Sequence, residues 1–192
     1  LTADFTYPKA FKQELLDAIG DYCIDVKDFR TPDKDRLCRE INYLMENRFA
    51  IAHYMIEKKP WDFFIMVEMG VDRMYHGFWK LMDPEHRKHE PGNRFQNAIL
   101  EYHKHVDELM GRVLAHADED TAVFVVSDHG GKRMDGGIRI NEWLRREGLL
   151  GTLAEPQAAV PLREVGIDWP RTTAWGEGGY YSRIFLNVQG RE

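Results

Sequence analysis

The sequence predicts an α/β protein, a mostly parallel sheet flanked by helices. Two short apolar runs, "WDFFIMVEMG" at 61–70 and "TAVFVVS" at 121–127, have the length and boundaries of buried strands. Between them lies "NRFQNAILEYHKHVDELMGRVLAHA", which keeps Phe95, Ile99, Tyr102, Val106, Leu109, Met110 and Val113 on one helical stripe. A strand, a helix and a second strand, with a connection of that length, fit a parallel crossover.

The remaining elements follow in order. "PKAFKQELLDAIGDY" places Phe11, Leu15, Leu16 and Ile19 at helical spacing, with Gly20 as the stop. "DYCIDVKDF" reads as a short extended piece. A long amphipathic helix then opens with Thr31 as N-cap, Pro32 at the first helical position and Asp33 in the first turn. Leu37, Ile41, Leu44, Met45, Phe49, Ala52 and Ile56 form its apolar face, and Lys58, Lys59 and Pro60 close it. "NEWLRREG" is a brief helix with Asn141 as cap and Gly148 as stop. The stretch 151–173 has several prolines and little periodicity and reads as loop, and "YYSRIFLNV" is a terminal strand. The whole is expected to form a single α/β domain over 1–192. Residues 1–60 are its helical part, 61–150 its core and 151–192 a loop with the last strand.

Composition narrows the function. The 192 residues carry a net charge of −6, which gives no reason to expect nucleic acid or an anionic membrane as partner. No apolar run approaches a membrane span and the N-terminus has no signal-peptide pattern. Cys23 and Cys38 form no C-x-x-C pair and suggest no disulfide framework, so a reducing, cytoplasmic setting is the expectation.

Chemistry is expected beyond the carboxyl ends of the strands, where open α/β sheets bind ligands. After the first run come Asp72 and His76, four apart, which share a face if the chain turns helical there. After the second come Asp128 and His129, followed by Gly130 and Gly131, whose backbone freedom would let neighbouring side chains converge. A carboxylate and an imidazole at each of two strand ends suit a pair of Zn²⁺ or Mn²⁺ ions. Each couple alone also fits a cap or a turn. Lys132 and Arg133 lie beside the second couple, where positive charge would suit a phosphate oxygen or simply a solvated loop.

"VFVVSDHGG", with "VDRMYHGFW" upstream, resembles the type I phosphodiesterase and nucleotide pyrophosphatase branch of the alkaline phosphatase superfamily. "PWDFFIMVEMGVDRMYHGFWKLMDPEH", "GGIRINEWLRREGLL" and "TTAWGEGGYYSRIFLNVQGRE" are similar to its bacterial and archaeal phosphohydrolases or phosphomutases. The resemblance implies part of an alkaline-phosphatase-like sandwich and a site with two divalent metals acting on a small phosphorylated substrate. It assigns Asp72 and His76 to one metal and Asp128 and His129 to the other.

The sequence departs from that family pattern by omission. No strand followed by a Thr or Ser nucleophile stands near the start, and no histidine follows Gly130. The expectation is therefore an internal portion of a larger catalytic domain, inactive by itself, with its nucleophile elsewhere. A phosphomutase and a non-catalytic α/β interaction module are the competing readings. Thr6 and Thr31 read as loop and cap residues. His86 and His89 belong to a polar loop, His103 and His105 point to different faces of a helix, and Asp107 reads as structural. His53 and His116 read as structural histidines without an acidic partner. The stretch Trp175 to Tyr180 edges a cleft or makes a tight connection into the last strand.

Overall fold

A computed structural model of the chain describes residues 4–179 and 181–190. Two compact units are present, Leu1–Asp135 and Gly136–Glu192.

The first unit is helical. Its elements are α1 (Phe11–Ile19), α2 (Lys34–Lys58), α3 (Gly70–Met82) and α4 (Ala98–Leu114). The apolar spacing explains the packing. Leu37, Ile41, Met45 and Phe49 of α2 meet Met74, Phe78 and Leu81 of α3 and Ile99, Tyr102, Val106 and Leu109 of α4 in one core. Burying each large side chain of this kind is worth about 1.5–3 kcal/mol, so this three-helix contact dominates the unit's stability.

Helix α2 starts two residues later than the sequence suggests. The N-cap is Asp33, whose carboxylate accepts from the Arg36 amide at 2.9 Å, while the Thr31 hydroxyl accepts from the Asp33 amide at 3.1 Å. The Thr-Pro-Asp sequence holds two cap-capable residues; Asp33 caps the helix, and Thr31 braces the turn before it through the Asp33 amide. The segment 21–29 has no regular structure. The buried Asn47 side chain fastens it, donating to the Asp21 carbonyl at 2.7 Å and accepting from the Cys23 amide at 3.1 Å.

The expected parallel sheet is not formed among the described residues. Residues 61–69 and 121–127 are free of helix and of strand pairing. The first segment alternates, with Phe63, Ile65 and Val67 exposed while Phe64, Met66 and Glu68 turn inward and Met66 packs on the core. In the second, Phe124 and Val126 are 84% and 86% exposed. An apolar run becomes a strand only when a neighbour completes its hydrogen-bond ladder, and no described segment does so here. The period-two burial of the first segment is the part of strand character that survives.

The second unit carries α5 (Ile140–Arg146), a short α6 (Leu162–Val165), a 3₁₀ turn at Trp169–Arg171, and strands β1 (Ala174–Glu177) and β2 (Arg183–Leu186). The strands pair antiparallel, from Ala174 opposite Leu186 to Glu177 opposite Arg183. Trp175 anchors the unit, stacked on Phe185 and edge-on to Trp169. Asn141 is not the cap of α5. It sits inside the helix and binds Gly176 through both backbone groups, at 2.7 and 2.6 Å. Trp175, Gly176 and Glu177 of the glycine-rich stretch lie in β1, and Gly178 follows it at φ 130; Tyr180 lies outside the described residues.

Gly70 shows how tightly the first unit is built. A Cβ there would stand 1.8 Å from the Tyr102 hydroxyl, which donates to Glu68 at 2.8 Å. Gly111, in the last turn of α4, has nothing within 4 Å of the same position. Gly70→Ala is therefore expected to destabilise by about 1–3 kcal/mol through overpacking. Gly111→Ala is expected to stabilise by about 0.4–1 kcal/mol. Urea unfolding of the two variants checks the opposite signs.

Candidate metal centre

The face of α3 opposite its core stripe carries the first couple. Asp72 and His76 stand one turn apart, with Asp72 Oδ1 and His76 Nε2 separated by 3.4 Å. Two donors on one tetrahedral zinc, at about 2.0–2.1 Å from it, lie about 3.3–3.4 Å apart, so this spacing fits a shared cation. The other Asp72 oxygen accepts from Arg73 at 2.9 Å. Arg73 in turn grips Asp25 with two bonds, at 2.9 and 2.6 Å, and lies over the Phe29 ring. Phe29 meets the His76 ring edge-on. The segment before α2 thus orients both members of the couple.

The second couple lies in the irregular segment after Val126. His129 Nε2 and Asp128 Oδ2 are 3.7 Å apart, and the Asp128 side chain is 90% exposed. The Ser127 hydroxyl closes the turn by donating to the His129 carbonyl at 2.5 Å. His129 Nδ1 is 3.0 Å from the Gly130 carbonyl. A carbonyl only accepts, so Nδ1 carries the proton and Nε2 keeps its lone pair for a cation, the usual arrangement of a metal-binding histidine. The Gly130 carbonyl, then Asp128, hold the His129 imidazole above its ordinary pKa, and Asp72 adds to the effect.

The segment of the second couple packs beside α3, since a Cβ on Gly131 would meet the Trp79 and Tyr75 side chains of α3 at 2.6–2.9 Å. Convergence stops there. Among the described residues, no three donors drawn from Asp72, His76, Asp128 and His129 lie within 4.8 Å of one another. Two carboxylates and two imidazoles are a suitable donor set for Zn²⁺ or Mn²⁺; the first couple is spaced for it at 3.4 Å, and the second stands wider at 3.7 Å.

The flanking residues are occupied elsewhere. Arg133 binds Glu85 and Asp135, and Lys132 is exposed. Thr6 and Thr31 spend their hydroxyls on local backbone. His86 Nδ1 accepts from the Lys88 amide, His89 Nδ1 meets the Lys80 carbonyl, and His103 bridges the Ile99 carbonyl and the Tyr75 hydroxyl. His53 and His116 do have an acidic partner. Glu57 stands one turn after His53 on α2, and one donor from each of the three lies within 4.8 Å of the others. The His-x-x-x-Glu spacing in the sequence was the available signal; the approach of His116 across helices was not readable from it.

The profile of the family described as type I phosphodiesterase / nucleotide pyrophosphatase matches residues 2–189. The chain belongs to this family. No curated protein and no solved structure matches it. The family is one of phosphoester hydrolases that typically depend on divalent metals, and both couples fall within the matched span. No helix among the described residues is long and apolar enough to cross a membrane.

The Asp25–Arg73 pair behind the first couple has a pH signature. Its Arg73 bonds hold the Asp25 carboxyl below the ordinary value of 3.8. A depressed carboxylate contributes stability above its unfolded pKa and loses it as pH falls through the folded one. Both groups are partly exposed, so Asp25→Asn is expected to cost about 0.5–1 kcal/mol at neutral pH. That difference from wild type should vanish once the pH drops below the depressed carboxylate value. Thermal unfolding of both proteins across the acid range checks it.

Proposed function

We propose that the protein is a metal-dependent phosphoester hydrolase of the phosphodiesterase and nucleotide pyrophosphatase type, acting with two divalent cations, Zn²⁺ or Mn²⁺. The observation that carries this reading is the pair of carboxylate–imidazole couples within a chain that matches the family almost end to end. Asp72 and His76 would hold one cation, and Asp128 and His129 the other. When bound, such a pair supplies Lewis-acid polarisation of the phosphoryl oxygens and stabilises the attacking and leaving oxygens of an in-line displacement.

The chain's own residues have defined parts in this reading. Arg73 orients Asp72 while Asp25 fixes Arg73. The Gly130 carbonyl holds the His129 tautomer that leaves Nε2 free. Gly131, lying against Tyr75 and Trp79, carries the second couple alongside α3. In this reading the attacking hydroxyl comes from elsewhere, because the Ser127 hydroxyl beside the second couple is taken up by the His129 carbonyl. The substrate is a small phosphorylated molecule. Lys132 is retained as a cation for its phosphate; Arg133 would first have to leave Glu85 and Asp135.

The non-catalytic module is the second reading, and the exposed, unconverged second couple favours it. Activity and metal content separate the two. Asp128→Ala and His129→Ala in the full-length protein are each expected to lower kcat on a chromogenic phosphodiester by at least about 100-fold and to release bound metal. Unchanged metal content and unchanged turnover in both variants would reject the site, and an inactive, metal-free wild-type protein would favour the module.

A further inference from the structure

A cluster of three possible metal donors, separate from both couples, lies where the ends of two helices meet. His53 and Glu57 occupy the last turns of α2, and His116 follows the end of α4. His53 Nδ1 and His116 Nε2 stand 3.4 Å apart with their rings edge-on, and Glu57 Oε1 is 3.9 Å from His116 Nε2. A good N–H···N bond is shorter, near 2.9–3.0 Å by analogy with N–H···O bonds. The same 3.4 Å is about the edge between two nitrogens on one tetrahedral Zn²⁺.

Two further features bear on a ligand here. His53 Nε2, the ring nitrogen turned away from His116, is buried and has no hydrogen-bond partner, which leaves Nδ1 as the nitrogen that can share a ligand with His116. The carboxyl ends of α2 and α4 also converge here, and their exposed carbonyl dipoles favour positive charge.

We propose that His53, Glu57 and His116 bind Zn²⁺ as a two-nitrogen, one-oxygen site with its fourth position open to solvent. The borderline donor set favours zinc over Mg²⁺ or Ca²⁺. Bound there, the ion clips the end of α4 to the end of α2 and stabilises the first unit by mass action. The site shares no residue with Asp72, His76, Asp128 or His129, so it stands or falls independently of the proposed catalysis.

The test uses the full chain stripped with chelator, with those four residues changed to alanine so that only the second site remains. Calorimetric titration with Zn²⁺ is expected to show one bound ion, and the unfolding midpoint is expected to rise with zinc. His116→Ala in the same background should weaken binding by about 100-fold or more and abolish the thermal shift. Absence of a bound ion in the background protein, or equal affinity after His116→Ala, overturns the proposal. If the fourfold variant does not fold, His116→Ala in the otherwise unaltered chain gives the reading: loss of one zinc equivalent supports the site, and unchanged stoichiometry overturns it.

Discussion

The three-helix contact of α2, α3 and α4 is the constraint on which the rest of the first unit depends. Met74, Phe78 and Leu81 pin one stripe of α3 against its neighbours, and a helix fixed on one side has no rotational freedom left on the other. Asp72 and His76 therefore face outward one turn apart, Tyr75 and Trp79 offer the surface against which Gly131 lies, and Arg73 can reach Asp25. Apolar packing and site geometry are two faces of a single helix. The tight fit of Gly70 under Tyr102 sets where that helix begins.

Helices were the legible part of the sequence because their signal is local. The stripe from Leu37 to Ala52, the Gly20 and Gly148 stops and the terminal strand at Arg183–Leu186 all follow from spacing and turn chemistry. The caps were less legible. Thr31 and Asp33 both suit an N-cap, and composition alone does not choose between them; the helix uses Asp33. Asn141 has the composition of a cap, yet its amide is used to hold the Gly176 backbone, a partner 35 residues away that no local rule identifies. His116 escaped for the same reason, being brought to His53 and Glu57 by tertiary packing alone.

The apolar runs at 61–69 and 121–127 mark the limit of periodicity as a guide. Composition tells that a segment wants burial and extension; it does not supply the neighbour that closes the hydrogen-bond ladder. The consequence for the site is direct. A couple carried on a helix is spaced by covalent geometry, and Asp72 and His76 are. A couple at the end of an unpaired segment depends on its local turn, so Asp128 stays almost fully exposed although Gly131 brings its segment against α3. Membership of the phosphodiesterase and pyrophosphatase family rests on a match over residues 2–189, which includes both segments.

Anomalous X-ray scattering from zinc-soaked crystals of the full-length protein separates a metal centre from two solvated couples. One anomalous peak is expected within bonding distance of Asp72 and His76, and a second within bonding distance of Asp128 and His129. Ordered side chains at all four positions with no anomalous density at either couple would contradict the metal centre.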